Sequence, residues 1–259
     1  MFPRHILTIC YSLLLLASCM KPTTLDPQVA PEVIVNCVLE YPREEQALYL
    51  SYARSIDGSG GEGIISAQVT LQDDTTGEDA AKLRHWGSGR WILPSRIIPG
   101  HRYTLRVEIP GQPVIEASTT IPHAYQVRHD SSPNMCYYID SLGEETLWIY
   151  TPAERIMTDC TAVDPFNQSG ESYHRKYLRI PSPAAYEPGC LHLYPNPENN
   201  SEVVFMVCSE EYDRYLKDAF SYQIRLLIND VTTFYDPSNI YSNIRGGYGI
   251  FGARVNCEL

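Results

Sequence analysis

Near its C-terminus the chain reads Gly246-Gly247-Tyr248-Gly249-Ile250-Phe251-Gly252, four glycines in seven positions. Glycine-rich loops can cradle phosphate, because backbone N–H groups come close to the anion where no Cβ intervenes. A Walker-type loop also needs Lys-Ser/Thr and a helix, and Ala253-Arg254-Val255 offers neither. Gly247, Gly249 and Gly252 fit Gly-x-Gly-x-x-Gly, but too few residues follow for a dinucleotide-binding β-α-β unit. Ile250, Phe251 and Val255 instead suit a sheet-closing strand, with glycines where a bulge or close backbone approach needs them.

Other chemistry-bearing residues are dispersed. The seven histidines show no His-x-His or His-Glu-x-x-His spacing. His123 and His129 with Asp130 come nearest to a metal set, and a surface hinge is their expected role. Gln72 to Asp79 gathers four acids without EF-hand spacing and is expected to be a solvated turn. No Gly-x-Ser-x-Gly elbow occurs. No catalytic residue, metal or cofactor is therefore assigned. Trp86, Trp91 and Trp148 carry rings that can stack on sugars. Trp86 and Trp91, close together in His-Trp-Gly-Ser-Gly-Arg-Trp, are the ligand-contact candidates, with at least one expected in the core.

The cysteines point to a compartment. Cys19 follows Leu16-Ala17-Ser18, behind Arg4 and the 12-residue apolar stretch Ile6 to Ala17. That stretch is shorter than the roughly 20 residues of a spanning helix and has the pattern of a secretory signal. Leu-Ala-Ser-Cys looks like the lipobox of bacterial lipoproteins, whose cysteine thiol takes a diacylglycerol and whose new amino terminus takes another acyl chain. Three chains suffice for stable anchoring. The other six, apart from Cys10, are Cys37, Cys136, Cys160, Cys190, Cys208 and Cys257. None forms Cys-x-x-Cys, so three disulfides in an oxidising envelope are expected, with fifteen pairings open.

The elements that must position these residues are mostly strands. Residues 1–18 read as signal and 19–31 as a proline-containing tether. From Glu32 apolar residues alternate: Ala67, Val69 and Leu71 on one face, then Tyr103, Leu105, Val107 and Ile109. Six or seven short strands between turns give 32–122 as an immunoglobulin-like β-sandwich. Residues 123–259 are expected to form a second, disulfide-stapled β-rich domain with one short helix at about 209–220. There Ser209 caps Glu210 and Glu211, and Tyr212, Tyr215, Leu216 and Ala219 make an amphipathic stripe. Tyr222 to Asp230 reads as a further strand. Nineteen tyrosines and 19 prolines against six phenylalanines fit a mainly β, extracytoplasmic chain. The net charge of −11, without any Lys/Arg run, argues against nucleic acid.

Ser209, Tyr212, Tyr215 and Leu216 follow an apolar strand, and Pro237, Asn239, Ser242, Asn243, Ile244, Gly246, Gly247, Gly249, Ile250, Phe251 and Gly252 close the chain. In these residues, its lipobox and its first half, the sequence resembles a large family of domain-of-unknown-function outer-membrane lipoproteins of Bacteroidota. Asp74-Thr75-Thr76 and Asp140-Ser141-Leu142 also look like the short O-glycosylation acceptor of that phylum. The resemblance implies an outer-membrane protein, lipid-anchored at Cys19, that binds or scaffolds beside a TonB-dependent nutrient transporter and performs no catalysis. Its partners would be membrane lipid, that transporter or neighbouring lipoproteins, and a glycan or peptide ligand. A surface hydrolase of glycan or peptide and a structural or adhesin subunit are the alternatives.

Overall fold

The computed structural model describes residues 32–54, 60–123, 127–129, 136–139, 145–150, 156–158, 177–180, 191–195, 203–227 and 240–257. Alternation dictates its first eight strands: β1 (Val33–Tyr41), β2 (Gln46–Tyr52), β3 (Gln68–Asp73), β4 (Ala81–Lys82), β5 (Arg84–Gly87), β6 (Arg90–Leu93), β7 (Arg102–Glu108) and β8 (Ile115–Thr120). They segregate into two antiparallel groups, β1-β2-β6-β5 and β4-β3-β7-β8. Val35, Cys37, Leu48 and Leu50 on the first group and Val69, Leu71, Leu105, Val107 and Ile115 on the second share one buried core. Each is an odd or even member of its strand, so one face of each group meets the other and the second face turns outward.

The first group does not end at β1. The remaining strands are β9 (Val127–His129), β10 (Cys136–Ile139), β11 (Thr146–Tyr150), β12 (Ile156–Thr158), β13 (Tyr177–Ile180), β14 (Leu191–Pro195), β15 (Val204–Cys208) and β16 (Tyr248–Asn256). The larger sheet runs β13-β11-β15-β16-β1-β2-β6-β5, and β12-β14-β10-β9 form a separate four-stranded sheet. The expected sheet-closing strand, β16, therefore lies inside its sheet. It pairs parallel with β1, from Ile34 opposite Tyr248 to Tyr41 opposite Val255, and antiparallel with β15. Four strands of the larger sheet precede residue 122 and four follow it. A strand covered on both faces reads as a continuous apolar run, as Ile250-Phe251-Gly252-Ala253 does.

One helix occurs among the described residues, α1 (Glu210–Leu227). Its start is where capping chemistry put it: the Ser209 hydroxyl accepts the Tyr212 N–H at 3.4 Å, and Glu210, Glu211 and Asp213 sit in the positive first turn. Tyr222–Leu227, expected as a strand, continues the helix. No glycine or proline interrupts 209–227, and each further residue adds a hydrogen bond to a helix already nucleated. Tyr212, Leu216 and Phe220 pack on Trp148, Met206 and Cys208, which puts α1 on the outer face of the larger sheet over β15 and β16.

The three-bridge framework is corrected at Cys37 and Cys208, which are buried thiols. Cys37 stands between Leu48 of β2 and Phe251 of β16, with no cysteine opposite. Burial pushes its thiol up to about 12, and burial also raises that of Cys208 well above its usual value. Both behave as small apolar core residues. Cys257 donates its N–H to Phe205 O at 2.8 Å. The side chain of Cys136 and all of Cys160 and Cys190 lie outside the described residues.

Candidate functional site

The closing motif, the most specific stretch of the sequence, resolves into architecture. Asn243 Nδ2 donates to Phe251 O at 2.8 Å and Asn243 Oδ1 accepts the Phe251 N–H at 3.0 Å. β15 pairs with β16 only at Arg254–Asn256, so the amide replaces a strand partner for Phe251. The same Nδ2 reaches Ser118 O of β8 at 3.3 Å, and Arg245 exchanges two backbone bonds with Glu116 of β8. The segment thus ties the two sheets together. Its glycines answer to the same geometry. A Cβ on Gly249, whose φ is +112°, would fall inside contact distance of Val35 O, and one on Gly252 would come within 2.6 Å of Tyr212 Cβ. Gly249 lets β16 lie beside β1, and Gly252 lets α1 lie on β16.

A polar knot fixes the start of α1. Ser209 donates its N–H to Ala253 O at 2.9 Å, and its Oγ accepts the Ala253 N–H at 3.1 Å. Thr119 of β8 is buried and hydrogen-bonds Ser209 Oγ at 3.0 Å and Glu211 Oε2 at 2.9 Å. One turn on, Asp213 accepts Arg179 Nε and an Arg179 terminal nitrogen, each at 2.7 Å, and Trp148 Nε1 at 2.8 Å. Arg179, Asp213 and Trp148 are all buried. A bidentate guanidinium–carboxylate pair with a third donor has the geometry that offsets desolvation in a low-dielectric interior. These three residues, 148, 179 and 213, carry no spacing signal in sequence.

Outside these knots, a polar cleft of about 360 Å³ opens between β8 and α1, lined by Arg102, Ser118, Glu211, Tyr241, Asn243 and Arg245. Arg102 there donates to Ser118 Oγ at 2.8 Å. The Arg214 guanidinium lies 4.3 Å from the Tyr241 ring centroid. Burial raises the Tyr241 hydroxyl above its usual pKa, and the nearby Glu211 and Glu210 add to that against the opposing charge of Arg214. The cleft holds both signs of charge.

The two tryptophans expected as a pair are separated by the sheet. Trp91 is 5% exposed, with its Nε1 donating to Ile64 O at 3.2 Å. Trp86 is 63% exposed, and the Arg84 guanidinium lies 5.9 Å from its ring. A register shift between His85 and Gly87 lies at Trp86. Trp148 is buried beneath α1. The acidic stretch 72–79 is a turn after β3: Asp73 Oδ1 accepts the Thr75 and Thr76 N–H groups, Asp73 Oδ2 meets His101 Nδ1 at 2.8 Å, and Asp74 accepts Thr104 Oγ1 at 2.7 Å. Among the described residues no three His, Cys, Asp or Glu side chains gather as a metal set. His123 faces Glu145 at 3.2 Å, while Asp130, Asp140 and Cys19 lie outside the described residues.

Two packed sheets around an apolar core, with one described helix on the outer face, define a mainly β protein whose closing motif is part of its framework. Residues 21–256 match the family model described as domain of unknown function (DUF4249), and the chain belongs to that family. A search of curated proteins returns no match.

Proposed function

We propose that the protein is a Bacteroidota outer-membrane lipoprotein, moored through acylated Cys19, that binds or scaffolds beside a TonB-dependent transporter. The observation that carries this reading is the outer face of the larger sheet. Tyr49 on β2, Trp86 on β5 and Tyr248 on β16 all point to that side and are each more than half exposed. Exposed aromatics with a polar tip are enriched at recognition surfaces, where they supply area at low entropic cost.

We read the first eight strands as an immunoglobulin-like module. Lettered in chain order with β4 as C′, they fall into A-B-E-D and G-F-C-C′, which supports the reading. Tyr103, at the start of the F strand, accepts the Ile98 N–H through its hydroxyl at 3.1 Å, as in a tyrosine corner. Burial raises the Tyr103 hydroxyl above its usual pKa, which keeps it a neutral acceptor.

Affinity isolation of the full-length chain from native membranes tests the role. Recovery of a TonB-dependent transporter is expected, and Tyr49→Ala with Trp86→Ala should reduce it while the protein stays in the membrane fraction. Repeated isolation without any transporter subunit would overturn the partner. Cys19→Ala that still pellets with envelopes after a carbonate wash would overturn the mooring.

A further inference from the structure

We infer that the polar cleft between β8 and α1 binds a small zwitterion, a free amino acid or a short peptide with both termini charged. Such a site would be present whether or not a transporter is the partner. Its floor is the outward side of the second group: Arg102 and Thr104 of β7 with Glu116 and Ser118 of β8, Thr104 standing opposite Ser118. Its wall is the segment 241–245, with Glu211 from the first turn of α1. That segment is held at three places. The Tyr241 N–H donates to Asp218 Oδ2 at 3.0 Å and its ring lies against Arg214. Asn243 is bonded to Phe251, and Arg245 to Glu116 through its backbone. A wall fixed in this way presents its side chains to a ligand at little ordering cost.

Ion pairing around the cleft is uneven. Arg106 bridges Glu116 at 2.8 Å and Glu108 at 2.9 Å. Arg102 lies 3.8 Å from Asp74, which also takes the Thr104 hydroxyl. On α1, Arg214 lies 3.9 Å from Glu210. Two of the charges that line the cleft are left over. Among the described residues Arg245 is engaged only through its backbone, and Glu211 only by the neutral Thr119 hydroxyl. They share one cleft, yet neither meets a counter-charge there, the other included. A guanidinium and a carboxylate held apart in this way match a ligand with the opposite charge at each end. Its carboxylate would take the paired donors of Arg245 and its ammonium the open oxygen of Glu211. The Tyr241 hydroxyl, which burial keeps protonated, adds a donor on the same wall. In the lining as a whole Arg102 and Arg245 balance Glu116 and Glu211, so a ligand without net charge suits it better than an anion or a cation. A volume of about 360 Å³ is at the small end for ligand sites and admits a few residues at most.

Titration calorimetry on the full-length chain in detergent tests the site with L-alanyl-L-alanine, its N-acetyl form, its C-terminal amide, L-alanine and, as an uncharged control, maltose. The dipeptide should bind and slow hydrogen exchange at 241–245. N-acetylation and amidation should each weaken binding by roughly fivefold, the scale of an ion pair in a partly exposed site. L-alanine binding as tightly as the dipeptide would assign the cleft to free amino acids, and weaker binding to peptides. Glu211→Gln keeps an acceptor for Thr119 and should remove the penalty for N-acetylation alone. Arg245→Gln keeps the backbone bonds to Glu116 and should remove the penalty for amidation alone. Equal binding of capped and uncapped dipeptide, preference for maltose, or neither heat nor protection with any charged probe would overturn the ligand class. Dipeptide binding with both penalties unchanged in the two variants would put the ligand elsewhere and overturn the site. Recovery of a transporter is a separate readout, so loss of either result leaves the other standing.

Discussion

Between the two sheets, Val35, Leu48, Leu50, Leu71, Leu105, Val107 and Phe251 are buried by apolar neighbours on all sides. Beneath α1, Trp148, Met206 and Cys208 close over the Arg179–Asp213 ion pair. The first core is redundant: many side chains each contribute a transfer term, and the loss of one leaves the rest in place. The second depends on a polar contact whose partners are 34 residues apart in sequence. Removing either partner takes a counter-charge away from a buried group. The two regions should therefore respond differently to single substitutions.

The widest difference is expected at Asp213. Asp213→Ala takes the bidentate carboxylate from the buried Arg179 guanidinium and should cost about 3–5 kcal/mol, whereas Arg179→Met with Asp213→Leu should lie much closer to the parent. Urea midpoints at constant slope measure both. A cost below about 1 kcal/mol for Asp213→Ala would mean that water reaches Arg179, and the contrast between the two cores would dissolve.

One strand lets the cores be probed side by side. Gly249 lies where β16 meets β1, and Gly252 where β16 meets α1. Gly249→Ala combines a φ of +112° with a clash against the Val35 carbonyl, both in backbone held by its neighbours, and should cost about 3 kcal/mol. Gly252→Ala meets a side-chain carbon on a helix that can lift, so about 1–2 kcal/mol is expected. Thermal unfolding of the two variants checks the order. The reverse order would show that the helix is held more rigidly than the sheet.

These residues also mark how much was legible in the sequence. Alternation identified β1, β2, β3, β7 and β8, since a strand with one buried face must repeat every second residue. The cap at Ser209 gave the helix start, but Tyr222–Leu227 was misread because a short apolar run fits either period. The closing motif was recognised as a strand, yet its place beside β1 was invisible: parallel pairing joins the two ends of the chain and leaves no local mark. Trp148, Arg179 and Asp213 were unreadable for the same reason. Cys37 and Cys208 depart from the expected bridges because a count of cysteines carries no burial signal, and Cys37 occupies an apolar position of β1.

Asn243 joins the two sheets at a site that is only partly buried, so its effect should fall below that of Gly249. Asn243→Ala leaves the Phe251 N–H and C=O without their amide partner and should cost about 1–2 kcal/mol. Faster exchange of the Phe251 amide hydrogen, before global unfolding, is the specific readout. Unchanged exchange at Phe251 would mean that the segment 243–245 is held by Arg245 and Glu116 alone.

The smallest effect belongs to a second aspartate contact, Asp73–His101, which is partly exposed where Asp213–Arg179 is buried. Burial pushes the Asp73 carboxyl up, but hydrogen bonds from His101 and from the Thr75 and Thr76 N–H groups, with the His101 charge, outweigh it and hold the group below the usual carboxylate value. A folded pKa below the unfolded one stabilises the fold above the unfolded value, near pH 4, and the contribution drains away as pH falls through the folded value. The stability gap between the parent and Asp73→Asn should therefore be present near pH 5 and narrow steadily as pH falls below about 4. Denaturant midpoints from acid to neutral pH measure it. A gap that keeps its size into acid would show that Asp73 acts through its turn geometry rather than its charge, and the contrast between a screened pair and a buried one would then rest on Asp213 alone.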